Sequence, residues 1–394
     1  MDFAWSDTQA TLYETALTFA REQLHRVPER GALNPGVPDP DVSSAGQPRF
    51  PRDAWARCGE FGLLGLSVPS TCGGMGLDAL TTAHVLEAFG LGCDDTGLLF
   101  GVAAHLFACV MPIAEHATPA FKARVVPELC SGRWVGANAI TEAGAGSDVF
   151  ALAATAVRDG DDYVLDGTKV YVTNGPAADV FVVYASTNRA HGYMGVSAFA
   201  ITRDAPGLKV GQAWDKIGLC SAPLGTLYLE ECRIPATQLL SGEGQGALVF
   251  RASMAWERAC LFAIYLGSME RQIDAAVAYA KQRIQGGRPI GKYQAISHRI
   301  ADMKLRLEAA RLLLYRACWT LDQGIDPTLE VALSKLAVSE AAVQCGLDAI
   351  RIHGGAGVLG EVGVERGLRD AIPATIFSGT SDIQRNLVAA RLGL

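Results

Sequence analysis

Charged side chains are scarce in this sequence, at 19% of 394 residues, and positive charge is not in excess. Lys and Arg number 34 against 41 Asp and Glu, which gives a formal net charge of −7. That balance argues against a general nucleic-acid binder, which is normally basic. Hydrophobic residues make up 49%, enough for a large core, so a disordered chain is excluded. The 43 glycines follow no period, so a collagen-like repeat is excluded as well.

The ten cysteines form no Cys-x-x-Cys pair. Several lie in apolar stretches: Cys109, Cys260, Cys318 and Cys345. This pattern is typical of reduced thiols in a cytoplasmic protein and not of a disulfide framework or a zinc site. We therefore predict a cytoplasmic protein without a metal site.

No targeting or membrane segment is predicted. The N-terminus, MDFAWSDTQA, lacks the basic and apolar regions of a signal peptide. The nineteen residues from Thr96 to Ala114 are uncharged and approach membrane-spanning length. They stand alone and include His105 and Pro112, which favours a buried helix.

Three stretches of different hydrophobic pattern follow one another. Residues 1–132 show mainly helical spacing, apart from a proline-rich stretch at 30–51 that predicts an exposed loop. Residues 133–242 carry short runs of β-branched and aromatic residues, typical of antiparallel strands. Residues 243–394 hold long amphipathic stretches, including 246–284, joined by short links. The pattern predicts a mostly α, α+β protein with a helical N-terminal domain, a middle β domain and a C-terminal four-helix-bundle domain.

Five segments combine small residues with hydrogen-bonding side chains. They are NAITEAGAGSDV (138–149), GTKVYVTNGP (167–176), KQRIQGGRPIGKYQ (281–294), RIHGGAG (351–357) and IFSGTSDIQ (376–384). Small residues let backbone amides approach a ligand closely, and helix N-termini favour anions. Tyr171 and Thr173 would share a strand face, suited to stacking on and bonding to a flat ring. Taken singly, each segment is better explained as a turn, a strand pair or a helix cap.

Their order and spacing resemble the acyl-CoA dehydrogenase family along essentially the whole chain. The matching features are TEAGAGSD, KVYVTNG, QRIQGGRPIGKYQAI, RIHGGAG and FSGTSDIQR. The resemblance implies the three-domain fold above, FAD as cofactor and a homotetramer in which a neighbouring subunit holds the adenine end. It carries no implication of nucleic-acid or membrane binding.

Carried over position by position, the resemblance implies a set of FAD-binding residues. The flavin would contact Ile140, Thr141, Gly146, Ser147, Tyr171 and Thr173, with Thr173 at N5. Arg283 and Gln285 would meet the FAD of a neighbouring subunit, and Arg351, Gly354 and Gly355 would hold its adenine side. Gly379, Thr380 and Ser381 would lie back at the pyrophosphate, and Gln294 also belongs to the implied FAD-binding set. This chain departs from the family pattern at two positions in these segments: it has Gly286 where an aromatic residue is usual and Arg351 where Gln is usual. Both departures bear on FAD affinity or on the contact between subunits.

The segment 376–384, called the tail segment below, departs most from the family pattern. Many members have a Glu that removes the substrate α-proton where this chain has Ser378, and a hydroxyl is a poor base without an activating partner. Glu257 lies on an apolar helical stretch, where burial would raise its pKa towards neutral. The isovaleryl-type branch carries its catalytic Glu at the matching position. The resemblance therefore implies that Glu257 takes the α-proton; the alternative is a structural ion pair with a distant Arg.

The remaining expectations concern the substrate. The segments WERAC (256–260), IFSGTSD (376–382) and HLFACVMPI (105–113) resemble the branch that oxidises a prolyl thioester on a peptidyl carrier protein to a pyrrolyl thioester in antibiotic biosynthesis. The implied substrate-binding residues are His105, Phe107, Ala108, Arg258 and Ser378, with the Ser378 backbone N–H at the thioester carbonyl. Phe107 would shorten the acyl pocket and His105 would face the ring nitrogen, although a core histidine fits equally well.

Several alternatives stay open. A short branched-chain acyl-CoA dehydrogenase would use the same helix base, a flavin monooxygenase on this fold would need no carboxylate, and a scaffold would bind no flavin. The electron acceptor is either oxygen or an electron-transfer flavoprotein. The strip 281–316 has nine Lys or Arg and two acidic residues, which fits carrier docking, FAD, another subunit or a solvated helix face.

Overall fold

The computed structural model describes residues 4–24 and 50–394. The proline-rich loop predicted at 30–51 lies almost entirely outside the described residues. The first part of the chain is helical. Its helices are α1 (Asp7–Gln23), α2 (Arg52–Phe61), α3 (Ala79–Gly92), α4 (Thr96–His105), α5 (Met111–His116) and α6 (Pro119–Cys130). Two of these helices, α3 and α4, are almost fully buried.

Helices α3 and α4 are apolar on all sides, which places them in the core of the molecule. Polar side chains fix where they begin: Asp78 accepts the Thr81 N–H at 2.7 Å, and Asp95 accepts the Leu98 N–H at 2.9 Å. The stretch Thr96–His116 has the length and hydropathy of a membrane span, but 89% of its apolar window is buried. The prediction of a buried helix is therefore confirmed.

The middle part forms one mixed sheet. Its strands are β1 (Gly136–Ala139), β2 (Thr155–Asp159), β3 (Asp162–Thr173), β4 (Val180–Ser186), β5 (Val196–Thr202), β6 (Leu208–Val210), β7 (Leu224–Pro235) and β8 (Leu239–Leu240). The order is β6-β7-β3-β2-β4-β5-β8, and β1 pairs with β4. The pairs β1–β4 and β2–β4 are parallel and the others antiparallel. Every residue of β4 is buried, so the sheet is covered on both faces there.

The last part is helical again. It contains α7 (Gly246–Trp256), α8 (Ala263–Gln282), the hairpin β9 (Ile284–Gln285) and β10 (Arg288–Pro289), α9 (Gln294–Asp322), α10 (Thr328–His353), α11 (Val364–Ala371) and α12 (Ser381–Arg391). Helices α8, α9 and α10 pack on one another, and α8 and α9 also pack on α3, so the bundle shares one core with the first part. The predicted fold class is confirmed. The single helix expected over 246–284 is interrupted by a π-turn at Glu257–Leu261.

Candidate active site

Two π-turns face each other inside the molecule. One, Leu106–Val110, joins α4 to α5, and the other, Glu257–Leu261, joins α7 to α8. The Ser253 hydroxyl, one turn before the second, donates to the Phe107 carbonyl of the first at 3.0 Å. A π-turn adds a residue to the helix and is common at functional sites because it redirects side chains. Glu257, the first residue of the second π-turn, is therefore a candidate functional residue.

Glu257 is buried and has one close hydrogen-bond donor. The Ser378 hydroxyl donates to its Oε1 atom. Burial raises the pKa of Glu257, and the Ser378 hydrogen bond and the neighbouring Arg258 cation oppose part of that rise. Among residues 4–24 and 50–394, Glu257 forms no ion pair within 4.0 Å. The geometry thus favours a carboxylate with raised basicity over the structural ion pair.

The tail segment is held tightly against this carboxylate. Ser378 and Gly379 both have positive φ, 54° and 88°. The Arg258 Nε–H donates to the Ser378 carbonyl at 2.7 Å, and the Gln384 amide donates to the Gly379 carbonyl at 3.0 Å. A Cβ atom on Gly379 would lie 2.8 Å from the Gln384 amide nitrogen, which explains glycine there. These contacts aim the Ser378 side chain at Glu257.

The first two motif segments are brought together by backbone hydrogen bonds. The Val170 N–H of β3 donates to the Thr141 carbonyl at 2.9 Å, so Ile140 and Thr141 lie beside the β3 segment. The buried Lys169 ammonium donates to the Ile140 carbonyl at 3.2 Å and to Glu142 at 2.6 Å. Lys169 is therefore the residue that ties the two predicted flavin segments together.

Glu142 extends this clamp to the following loop. It accepts the backbone N–H of Ala153 at 2.7 Å and of Ala154 at 3.0 Å. Burial alone would raise the pKa of Glu142, but Lys169 and the two amides outweigh burial and lower it. The enclosed loop carries Gly146 and Ser147, both exposed, and a Cβ on Gly146 would meet nothing within 4 Å. An open, small-residue loop pinned at its ends fits the close approach of a ligand backbone.

The predicted strand face of Tyr171 and Thr173 is irregular. The register between β3 and β7 shifts between Lys169 and Val172, and Tyr171 has φ of 55°. This bulge redirects the Tyr171 ring, which is exposed and packs edge-on against Trp214 with centroids 5.2 Å apart. Simple alternation along a straight strand, on which the expectation rested, therefore does not fix the orientation of Tyr171.

The residues assigned to a neighbouring subunit's FAD lie apart from the flavin segments. Arg283 and Gln285 lie at the exposed β9–β10 hairpin, Gln294 begins α9, and Arg351 near the end of α10 is 3.6 Å from Asp348. Their side chains form no hydrogen bond to segments 138–149 or 167–176 within the described ranges. A Cβ on Gly354 or Gly355 would meet nothing within 4 Å. The contact of these residues with a neighbouring subunit's FAD stays a prediction.

The start of α12 carries the last predicted contacts. Thr380 caps the helix by accepting the Ile383 N–H at 3.2 Å. The Ser381 hydroxyl is buried and has no hydrogen-bond partner among the described residues. An unsatisfied buried hydroxyl at a helix N-terminus fits an anionic ligand group.

The surroundings of His105 agree with the core-histidine alternative. Its ring is fully buried, its Nδ1 accepts the Gly136 N–H at 2.8 Å, and Trp55 packs edge-on against it at 5.1 Å. Burial lowers the pKa of His105 to about 3, so the ring is neutral. His105 is therefore a buried core residue, its Nε2 has no hydrogen-bond partner among the described residues, and its contact with a substrate nitrogen stays a prediction. Phe107 and Ala108 are also buried, and their carbonyls accept from Ser253 and Asn138.

Two further buried polar side chains, Tyr184 and Lys335, were not predicted from the sequence. The Tyr184 hydroxyl on β4 has no hydrogen-bond partner among the described residues. Burial raises its pKa, and Cys109 and Glu257 raise it further. The Lys335 ammonium on α10 lies 5.6 Å from the Phe262 ring centre, and burial, with Arg258, lowers its pKa to about 8. Both lie in apolar sequence, where periodicity gives no sign of a polar site.

Comparison with known proteins places this architecture in a family. Residues 6–133, 137–232 and 244–393 match the N-terminal, middle and C-terminal domain models of acyl-CoA dehydrogenase. The chain therefore belongs to the acyl-CoA dehydrogenase family, and the resemblance carried by its motifs is confirmed.

Two relatives and one solved structure show which members of the family the chain resembles. An L-prolyl-[peptidyl-carrier protein] dehydrogenase of Pseudomonas fluorescens is 54% identical over 346 residues, 88% of this chain and 91% of that protein. One of Serratia is 42% identical over 395 residues, 100% of this chain and 99% of that protein. A solved structure of PigA with FAD and proline has a TM-score of 0.93 at 41% identity and covers 100% of both chains.

Proposed function

We propose that this chain is an FAD-dependent dehydrogenase that oxidises L-prolyl-S-carrier protein to the pyrrolyl-2-carboxyl thioester, in the cytoplasm, for secondary metabolism. The single observation that carries the chemistry is the buried Glu257 carboxylate at a π-turn, with a hydroxyl and not a second carboxylate facing it from the tail. The two prolyl-carrier dehydrogenases at 54% and 42% identity support the substrate. The overall change removes four electrons and four protons, and oxygen or an electron-transfer flavoprotein would accept the electrons.

Glu257 is assigned as the base that takes the α-proton. A thioester carbonyl acidifies that proton, and a buried carboxylate with raised pKa is matched to it near neutral pH. The negative charge that develops on the carbonyl needs donors. The Ser378 backbone N–H has no acceptor among the described residues, so it is available for that oxygen. Arg258 serves as a positioning residue because it holds the Ser378 carbonyl.

The residues on this chain fit FAD. The open loop at Gly146 and Ser147, the β3 residues Tyr171 and Thr173 and the unsatisfied Ser381 hydroxyl would hold it, with Arg283, Gln285, Gln294, Arg351, Gly354 and Gly355 acting on a neighbouring subunit's FAD. When bound, FAD supplies the hydride acceptor. The chain's own contribution is the base, the carbonyl donor and the alignment of both.

The shared FAD site requires a homo-oligomer, which we propose is a tetramer. Helix α9 presents an apolar stripe at seven-residue intervals, with Leu305, Leu312 and Trp319 exposed to 68%, 50% and 39%. Residues seven apart lie on nearly the same helix face. A stripe of this kind supports a helix-to-helix subunit contact.

The test is anaerobic mixing of the holoenzyme with prolyl-carrier protein and, separately, with isovaleryl-CoA, monitored by flavin absorbance. We expect bleaching with the carrier substrate alone. Glu257→Gln should slow it about 10²- to 10⁴-fold, the usual worth of a general base, while the exposed control Glu115→Gln should not.

The other outcomes assign other functions. Bleaching with isovaleryl-CoA alone would make the protein a branched-chain acyl-CoA dehydrogenase. Undiminished turnover of the carrier substrate in Glu257→Gln would exclude this base. A purified protein without flavin would favour a scaffold.

A further inference from the structure

An exposed apolar patch lies where helix α7 begins. It consists of Tyr193, Met194 and Leu248, exposed to 55%, 59% and 62%, together with Arg251, which lies one helical turn after Leu248 on the same face. We call these four residues the α7 patch. Exposed Tyr, Met and Arg beside an apolar side chain are the composition of a protein interface.

The two parts of the α7 patch are fixed against each other. The loop Arg189–Gly195 is closed by backbone hydrogen bonds from Thr187 and Asn188 to the Gly195 carbonyl, at 2.8 and 3.2 Å. A Cβ on Gly244 would lie 2.6 Å from the Met194 carbonyl, so the residues leading into α7 pack directly on this loop. The patch is therefore a preformed surface, which lowers the entropic cost of docking a partner.

A row of aromatic rings connects the α7 patch with the interior. Tyr193 lies 6.5 Å from Phe150, Phe150 lies 5.7 Å from Phe250, and Phe250 lies 5.7 Å from Tyr184, between ring centroids. Phe250 and Glu257 are seven residues apart along α7 and its π-turn, roughly 10 Å of helix. The patch thus lies at the outer end of the same helix whose inner end carries the base.

The charge of the α7 patch is available to a partner. Arg251, and Arg189 at the edge of the loop, form no ion pair within the described part of the chain; Arg189 only donates to the Ala153 carbonyl at 2.6 Å. The strip 281–316 differs. Arg299, Lys304, Arg306, Arg311 and Arg316 are all paired with carboxylates of the bundle. Most of the positive charges of the strip are therefore neutralised by ion pairs within the fold.

We propose that the α7 patch is the docking surface for the carrier protein, an acidic partner that presents the thioester on a flexible phosphopantetheine arm. This inference rests on the proposed function, since it names where that substrate's protein part binds. The apolar side chains supply the contact area, Arg251 and Arg189 pair with acidic residues of the carrier, and the arm passes inward along α7 towards Glu257.

The test compares prolyl-carrier protein with prolyl-pantetheine, which carries the same thioester without the protein. In the holoenzyme, Leu248→Asp and Arg251→Glu should each lower kcat/KM for the carrier substrate about tenfold or more, through KM. Oxidation of prolyl-pantetheine should change by less than about twofold. The matched controls are Val157→Asp, an exposed apolar residue on β2, and Lys292→Glu in the strip, and both should behave as wild type.

Each other result would overturn the proposal in a recognisable way. A loss confined to Lys292→Glu would move docking to the strip. A changed oligomeric state of Leu248→Asp in light scattering would make the patch a subunit contact. An equal loss on both substrates would make the patch part of the small-molecule site. If wild-type protein oxidised neither substrate, the proposed function would fail first, before docking was at issue.

Discussion

At the scale of single residues, the site depends on which position carries a carboxylate, Glu257, and which carries a hydroxyl, Ser378. Ser378 occupies the tail position where many family members carry the base, and it donates its hydroxyl to Glu257. A hydroxyl cannot replace a carboxylate as base, but it can orient one and stabilise its charged form. We therefore propose that Glu257 acts as the base and Ser378 as its positioning residue.

The Ser378 hydrogen bond predicts a pH effect. The bond lowers the pKa of Glu257, against burial, which raises it. In Ser378→Ala the pKa should therefore rise further, and because only the ionised carboxylate accepts a proton, the rise of flavin reduction rate with pH should move to higher pH. Stopped-flow reduction across a pH series measures this.

A second variant separates this effect from backbone strain. Ser378 has positive φ, so Ser378→Gly removes the hydroxyl and also relieves the backbone. Both variants should shift the profile alike. An unshifted profile in both would exclude the hydroxyl as a positioning group.

At the scale of elements, the flavin segments depend on a buried ion pair. Lys169 on β3 and Glu142 after β1 are both almost fully enclosed, and their bond joins β3 to the loop that carries Gly146 and Ser147. A buried pair adds little over an apolar replacement, but removing one partner leaves a charge without compensation. The clamp thus ties the stability of the fold to the geometry of the cofactor loop.

Lys169→Met should therefore destabilise the protein by about 3 kcal/mol and lower FAD retention, because Glu142 would lose its cation and release the loop. Chemical denaturation and flavin content after gel filtration measure both. The surface pair Lys209–Glu230 provides the control, since both side chains are largely exposed. Lys209→Met should cost less than about 1 kcal/mol. Equal effects of the two variants would contradict a special role for the buried pair.

At the scale of the whole molecule, the predicted FAD-binding residues of one chain form two separate sets. The flavin segments of the sheet and the Arg283, Gln285 and Arg351 groups of the bundle share no hydrogen bond within the described residues. In the proposed homo-oligomer, two copies would bring these groups onto one FAD, and the exposed α9 stripe is the proposed contact. Oligomerisation and cofactor binding are then linked, because each stabilises the other.

Leu312→Glu, at the centre of the stripe, should dissociate the oligomer, because a charge buried in an apolar contact costs several kcal/mol. FAD retention should fall with it. Light scattering and flavin content measure the two effects, and Val157→Asp on β2 is the control. A variant that remained tetrameric would remove the stripe from the subunit contact.

Much of the fold followed from local patterns. The helical stretches followed from amphipathic spacing, the strands of the middle part from runs of β-branched and aromatic residues, and the family from five short motifs. These features are local in sequence, so periodicity and turn chemistry reveal them. The expectation that burial raises the pKa of Glu257 also agrees with the structure, because an apolar helix predicts burial on its own.

Other features depended on contacts between residues distant in sequence. The Glu257–Ser378 bond, the Lys169–Glu142 clamp and the enclosure of His105 join positions 121, 27 and 31 residues apart, and no periodicity encodes such pairs. The bulge at Tyr171 and the π-turn at Glu257 follow from packing that overrides local regularity. The sequence by itself determined most of the elements and the family, and it predicted that Glu257 is buried. Only the tertiary structure decided which hydroxyl meets that acid, where Tyr171 points and that His105 belongs to the core, because burial and hydrogen bonding are properties of the assembled fold.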